Sequence, residues 1–381
     1  METRKLRGGL VGGRPGSFIG PVHMMAAQMD NQAEFVGGAF SSDPEKSAEA
    51  GKAYYMDPKR VYKTWQEMVE KESALGEDER IDFVTIVTPN SSHAEIATAF
   101  AEAGIDIMCE KPMTMDLASA KALAETVKKA EIAFALNHNY TGYPMVKQAK
   151  HMVASGDFGK INKIVVEYPQ GWLSGYLRGE EGAIRPWRMD PKLAGSACCM
   201  GDIGTHAENL ARYITGLEIE ELCADLSSFI PDNKLDDDGN CLVHWQDGVK
   251  GILMASQISS GEENGLNIRI YGTQMGMQWF QEDPNYLHLK DPSGFKKTLS
   301  RGNPDILCDA ANKGSRLPFG HPDGFIEAMA NGYLAFFEEV RAGKPTGADH
   351  PTVDDGVVGM AFIETVVESA KAGATWVKMK K

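Results

Sequence analysis

The chain has 381 residues, 43% of them hydrophobic and 24% charged, with a formal net charge of −14 at pH 7. That length exceeds a typical single domain and predicts two. The acidic balance argues against nucleic acid, whose phosphates it repels, and equally against an anionic membrane surface. The N-terminus, Met1 to Lys5, leads into a strand-like segment without a long apolar signal region, and no later segment is apolar enough to span a bilayer. The expected location is the cytoplasm.

The first third alternates strands and helices. Leu10-Val11 ends a first strand, and Phe35 to Phe40 reads as a second. Phe83 to Val87 is a third, almost wholly apolar, as a strand buried on both faces should be. Ile105 to Cys109 and Ile132 to Leu136 read as the fourth and fifth. Helical stretches lie between them. Ser92 to Glu95 has the spacing of a capping box, and Ala118 to Ala130 is rich in good helix formers. Such alternation predicts a doubly wound parallel sheet.

Near residue 140 the pattern changes. Strand-like runs follow at Ile161 to Tyr168, Leu222 to Phe229, Cys241 to Trp245 and Val249 to Ile258. The last two flank Gln246-Asp247-Gly248, where Asp-Gly signals a tight hairpin. Leu266 to Tyr271, Met277 to Phe280 and Tyr286 to Leu289 continue the series. The expected architecture is α/β: a first domain over 1–139 and a second, α+β domain on a mostly antiparallel sheet over 140–381. Leu173 to Gly195 is irregular, as functional segments often are. Val353 to Ala372 is helical in pattern, with Gly373 as its stop.

The six cysteines, Cys109, Cys198, Cys199, Cys223, Cys241 and Cys308, form no Cys-x-x-Cys pair and no metal-finger spacing. Most read as small buried residues, with Cys198 and Cys199 candidates for a pocket wall near Asp202. No metal is expected.

The turn after the first strand reads Gly12-Gly13-Arg14-Pro15-Gly16-Ser17-Phe18-Ile19-Gly20. Glycines there permit a tight bend and a close approach of backbone amides to a pyrophosphate. The loop is longer than Gly-x-Gly-x-x-Gly, and Ser17 stands where a second glycine falls if Gly20 is the third. A glycine turn without a ligand is the competing reading; its place between a first strand and a first helix favours the dinucleotide. The second strand runs into Ser41-Ser42-Asp43-Pro44, where such domains usually set an acid against the ribose hydroxyls. Asp43 reads equally as a helix start. Ser41 in the ribose position repels no 2′-phosphate, and Lys46 or Arg14 attracts one, so NAD and NADP both remain open. Thr88, Pro89 and Asn90 follow the third strand, with His93 three residues on; they read as crevice residues or as a turn and cap.

Cys109-Glu110-Lys111-Pro112 closes the fourth strand. Burial disfavours the charge of a lysine there and a carboxylate such as Glu110 restores it, a balance suited to proton chemistry. In Gly201-Asp202-Ile203-Gly204-Thr205-His206, Asp202 and His206 are four apart, on one helical face. A carboxylate beside an imidazole suits a general base. A metal pair and a chance helix start are the alternatives.

With these motifs in this order, the chain resembles the Gfo/Idh/MocA family of glucose–fructose oxidoreductase and inositol dehydrogenase-like enzymes. The resemblance runs from Ile19-Gly20-Pro21-Val22-His23 through Thr88-Pro89-Asn90 and Glu110-Lys111-Pro112 to Gly201–His206. It implies an N-terminal Rossmann domain, a C-terminal domain with a large open sheet, and Lys111, Asp202 and His206 as the catalytic set. Together the residues and the resemblance give a candidate cofactor site of Gly12, Gly13, Arg14, Gly16, Phe18, Ile19, Gly20, Ser41, Lys46, Thr88, Pro89, Asn90, His93, Glu110 and Lys111. Arg14, Ser17 in the same loop, and Ser41 depart from the family pattern and bear on cofactor preference. Trp187 to Gly195 looks like the substrate-side loop of sugar-active members, and His321 like a further substrate contact. Asn139, Tyr140, Trp172, Arg185, Trp187 and Arg188 suit a hydroxyl-rich ligand with apolar ring faces.

The expected activity is NAD(P)-dependent oxidation of a secondary alcohol of a sugar, glycoside or polyol. The alternatives are a glycosidase that works through a trapped nicotinamide, and a non-catalytic dinucleotide sensor. An exposed sheet face in the second domain, together with the resemblance, predicts a homo-oligomer (dimer, tetramer or hexamer).

Overall fold

The structure is a computed structural model in which residues 4–179 and 186–381 are described. The chain begins β1 (Leu6–Gly12), α1 (Ile19–Gln28), β2 (Ala33–Ala39), α2 (Pro44–Ala53), α3 (Trp65–Ser73), β3 (Phe83–Val87), α4 (His93–Glu102), β4 (Asp106–Cys109), α5 (Leu117–Ala130) and β5 (Phe134–Leu136). The five strands form one parallel sheet in the order β2-β1-β3-β4-β5. Phe83, Val84 and Ile86 of β3 are fully buried, because a parallel sheet is covered on both faces. The strand order reverses between β1 and β3, and the carboxyl ends of those strands mark where such a sheet opens to a ligand.

Polar side chains set the helix starts. Asp43 accepts from the N–H groups of Glu45 and Lys46 at α2, Thr64 from Glu67 at α3, and Asp116 from Ser119 at α5. The capping box expected at Ser92 is a correction. Ser92 stands at the start of α4, but its hydroxyl donates to the Pro89 carbonyl at 3.0 Å and shares a hydrogen bond with the Thr88 hydroxyl at 2.8 Å. The preceding short 3₁₀ turn, Asn90–Ser92, makes those nearer partners available.

The chain continues with α6 (Pro144–Ala154), β6 (Ile161–Pro169), α7 (Ser174–Leu177), α8 (Pro191–Ala194), α9 (Thr205–Thr215), β7 (Ile219–Ser227), β8 (Asp238–Trp245), β9 (Lys250–Ser256), β10 (Asn267–Gly272), β11 (Gly276–Phe280), β12 (Tyr286–Lys290), β13 (Lys296–Ser300), α10 (Asp309–Lys313), α11 (Phe325–Ala342), α12 (Val353–Lys371) and β14 (Trp376–Lys378). Nine strands make the second sheet, in the order β13-β12-β11-β10-β6-β9-β8-β7-β14. Among the described residues of this sheet, only β6 and β9 pair in parallel. In the β8–β9 hairpin Asp247 and Gly248 take φ of 58° and 75°, the positive values that Asp-Gly tolerates. Alternate residues turn inward: Cys241, Val243 and Trp245 of β8 are buried, whereas Leu242 is 52% exposed.

The described residues form two compact units. One runs to Asn139 and resumes over Phe325–Val357; the other runs from Tyr140 to Gly324 and resumes at Val358. The second domain expected over 140–381 is therefore interrupted. The reason lies in α11, which buries Met329, Tyr333, Phe336, Phe337 and Val340 in the first unit's core. The Phe337 ring lies 5.2 Å and the Phe336 ring 5.8 Å from that of Phe83, centroid to centroid. Among the described residues no helix is long and apolar enough to cross a membrane.

Candidate active site

In the first unit the glycine turn ends β1. Gly12, Gly13 and Gly16 take φ of +85°, +71° and +86°, a region that favours glycine. A Cβ on Gly20, in the first turn of α1, would stand 2.3 Å from the Gly13 Cα. That close approach of turn to helix requires glycine at Gly20. The Tyr54 hydroxyl, which sequence reasoning missed, donates to the Gly13 carbonyl at 2.7 Å and fixes the turn from α2. No side chain caps α1 at Phe18, so its first N–H groups are placed for an anion. Ser17 Oγ is buried with no hydrogen-bond partner among the described residues. An unsatisfied hydroxyl beside free helix N–H groups fits a pyrophosphate. Phe18 is 77% exposed beside it.

Two residues after β2, Ser41 Oγ accepts from the Asp43 N–H at 3.2 Å. Asp43 itself caps α2, and Lys46 Nζ lies 3.4 Å from its carboxylate. Beyond β3, the buried His93 ring lies 2.9 Å from the Pro112 carbonyl and 2.8 Å from that of Thr88. Burial pushes its pKa down. The ring thus ties the Thr88-Pro89-Asn90 turn to the segment after Lys111.

At the end of β4 the Glu110 carboxylate is buried. Its Oε1 lies 2.9 Å from His23 Nε2 and accepts from Asn137 Nδ2 at 2.6 Å; its Oε2 accepts from the Lys111 N–H at 3.2 Å. Burial pushes this carboxyl up, but the His23 bond and charge, the Lys111 charge and the Asn137 amide outweigh it and bring it down to about 2. The Lys111–Pro112 peptide bond is cis. After β5, Asn139 is buried and its Nδ2 has no hydrogen-bond partner among the described residues. That leaves a donor for a ligand.

In the second unit, Met200–Gly204 is a π-helical turn that runs into α9. The regular helical face expected for Asp202 and His206 is therefore altered, since a π turn is wider than an α turn. Asp236 accepts from the N–H groups of Cys198 and Met200, each at 2.7 Å, and so anchors the entry to that turn. Asp202 Oδ2 accepts from Gln257 Nε2 at 2.8 Å, and Arg188 Nε lies 3.1 Å from Oδ1. The Arg188 guanidinium sits 4.6 Å over the Trp187 ring.

His206 is 6% exposed and packs edge-on against Tyr140, with ring centroids 4.8 Å apart. The Tyr140 and Tyr168 hydroxyls hydrogen-bond each other, and Tyr168 donates to Asn264 Oδ1 at 2.6 Å. Asn264 Nδ2 donates to Gln281 Oε1 at 3.0 Å. Gln257, Tyr168 and Asn264 were missed in the sequence; each stands near a strand end with no motif around it. Cys198 and Cys199 are buried, and burial followed by Asp236 pushes both thiols up, against a thiolate role. Trp172 is 45% exposed, and the exposed His321 has Nδ1 3.2 Å from the Pro318 carbonyl. Arg185 lies outside the described residues.

A parallel sheet with a glycine turn at its switch point is the arrangement of a dinucleotide-binding domain. Residues 6–138 match the model of the oxidoreductase family with NAD-binding Rossmann fold, and residues 146–278 match that of the GFO/IDH/MocA C-terminal domain. The chain belongs to this family and is an oxidoreductase with an NAD-binding Rossmann domain. It is 33% identical over 390 residues to the uncharacterized oxidoreductase YfiI of Bacillus subtilis (strain 168), covering 99% of this chain and 98% of that one. It is 27% identical to the levoglucosan dehydrogenase of Pseudarthrobacter phenanthrenivorans, covering 98% of each. An inositol dehydrogenase homolog from Azotobacter vinelandii, solved with NAD+, superposes with a TM-score of 0.91 at 30% identity, over 99% of this chain and 98% of that one.

Proposed function

We propose that this protein oxidises a secondary alcohol of a sugar, glycoside or inositol-like polyol in the cytoplasm, using NAD or NADP. The observation that carries the reading is the full-length likeness, over 98% of this chain or more, to proteins named for levoglucosan and inositol. In this reading His206 takes the hydroxyl proton. Asp202, gripped by Gln257 and Arg188, supports the imidazole. Lys111 hydrogen-bonds the reacting oxygen and stabilises its developing charge. The glycine turn, Ser17 and the first N–H groups of α1 hold the pyrophosphate; Thr88, Pro89 and Asn90 line the cofactor side. When bound, the nicotinamide supplies the hydride acceptor. Asn139, Tyr140, Trp172, Arg185, Trp187, Arg188 and His321 contact the substrate. Ser41 sets no carboxylate against a 2′-phosphate, which leaves room for NADP.

The test is a panel of myo-inositol, levoglucosan, free hexoses and pentoses, and aryl glycosides, each with NAD and NADP, followed by absorbance of the reduced nicotinamide. Reduction with at least one member is expected. Release of free aglycone without net cofactor reduction overturns the dehydrogenase reading in favour of a glycosidase.

The chain also assembles with copies of itself in this reading. Leu242, Ile252 and Trp376 on the second sheet are 52%, 37% and 44% exposed, apolar surface that association would cover. Light scattering at micromolar concentration should give a multiple of the chain mass; a monomeric mass rejects the assembly.

A further inference from the structure

His23 lies on α1, one turn beyond Gly20, and is fully buried. Its Nε2 faces Glu110 Oε1 at 2.9 Å, and its Nδ1 lies 2.8 Å from the Tyr333 hydroxyl. That hydroxyl is 2.9 Å from Thr85 Oγ1 on β3. With a partner on each nitrogen, the ring is locked in orientation. Glu110 in turn accepts the Lys111 N–H. One buried chain of polar groups therefore runs from β3 and α11 through α1 to the Lys111 turn. The titratable groups around the carboxylate are His23 of α1, Lys111, Cys109 of β4, His93 of α4 and Tyr333 of α11.

We propose that His23 is a positioning residue for Lys111: through the Glu110 carboxylate it fixes the Lys111 turn to the helix that follows the glycine loop. The inference rests on the reading of Lys111 as an active-site group. The physical reason is the acceptor count at Glu110. Only an ionised carboxylate offers both oxygens freely as acceptors. Without His23 the two contributions that most lower this carboxyl are lost, and burial raises its affinity for a proton. A protonated carboxyl turns one oxygen into a donor, so the bonds from Asn137 and the Lys111 N–H are no longer both satisfied.

The test compares His23→Leu, which keeps bulk but no donor, with His23→Gln, which keeps one. Infrared titration follows the buried carboxylic C=O band, assigned by its loss in the double variant His23→Leu/Glu110→Gln. In His23→Leu the Glu110 carboxyl should titrate roughly 3 pH units or more above its parental value. The kcat/KM profile on the best substrate of the panel should gain an acid limb at that same pH. His23→Gln should restore most of the parental profile. The dissociation constant for NADH, read by fluorescence, should stay within about threefold, because only differential effects on the reacting state are expected. Should His23→Leu not fold, Tyr333→Phe frees His23 Nδ1 alone and should shift both readouts in the same direction by less. A Glu110 whose titration in His23→Leu stays within about one pH unit of its parental value overturns the proposal. So does a carboxyl that moves while the kcat/KM profile does not. If Lys111→Met keeps parental turnover, the reading of Lys111 itself fails, and the positioning role with it; the infrared result distinguishes that failure from a broken His23–Glu110 link.

Discussion

Arg188 grips Asp202, its Nε standing 3.1 Å from Oδ1 while Gln257 holds the other oxygen at 2.8 Å. A carboxylate hydrogen-bonded at one oxygen and ion-paired at the other has little freedom to turn. Displacing a catalytic group by about 1 Å can cost on the order of 100-fold in rate. Arg188→Ala should therefore lower kcat by roughly 10- to 100-fold and leave NADH affinity unchanged. Arg188→Lys should recover only part, because an ammonium lacks the planar fork. Steady-state kinetics beside fluorescence titration decide the matter, and a parental kcat in Arg188→Ala removes Arg188 from the machinery.

Lys111→Met and His206→Ala should each lose about 100- to 10,000-fold in turnover, the range for a positioned acid–base group. Both should still bind the dinucleotide and melt near the parental temperature. Asp202→Asn should lose less. Single-turnover reduction of bound cofactor is the measurement, and near-parental rates in His206→Ala across neutral pH would mean that another group is the base.

Gly20→Ala meets backbone, since its new Cβ falls 2.3 Å from the Gly13 Cα. Overpacking of this kind costs about 1–3 kcal/mol, and here the strain falls on the pyrophosphate turn. The variant should melt lower and bind NADH more weakly by calorimetry. Unchanged affinity would show that the turn does not hold the cofactor.

Ser41→Asp should move the ratio of the NAD and NADP dissociation constants toward NAD, because a carboxylate repels a 2′-phosphate. An unchanged ratio would place the ribose elsewhere.

Glu339 is a stability switch in the first unit. Its Oε1 accepts from the N–H groups of Thr346, Gly347 and Ala348 at 2.8, 2.9 and 3.1 Å, and His350 Nε2 lies 3.1 Å from Oε2. Burial pushes this carboxyl up, but the His350 bond and the backbone N–H groups outweigh it, bringing it from an ordinary 4.5 down to about 2. A carboxyl depressed in the folded state stabilises above its unfolded value and loses that contribution as pH falls through the folded one. Glu339→Gln should thus melt below the parent at neutral pH, with the gap closing between 4.5 and about 2. Calorimetric Tm values over a pH series test this; a gap that does not narrow refutes the assignment.

Much of the fold was legible locally. The apolar run Phe83–Val87 became the buried β3, and Asp247-Gly248 turned the β8–β9 hairpin. β13 was not legible, because Lys296, Lys297 and Thr298 are exposed and carry no apolar alternation. Nor was the return of α11 to the first unit, since an amphipathic helix announces that it has a buried face but not which core will bury it.

The sequence alone determined where the chain bends and which residue types meet at a strand end: glycines at the first turn, Glu110-Lys111-Pro112 after β4, and Asp202 before His206. These are short-range facts, written in conformational freedom and burial along one segment. The tertiary structure decided the partners. Gln257 reaches Asp202 across 55 positions, His23 reaches Glu110 across 87, and Tyr333 reaches His23 across 310. A hydrogen bond between such groups exists only when packing sets them about 3 Å apart, and no local periodicity encodes that distance.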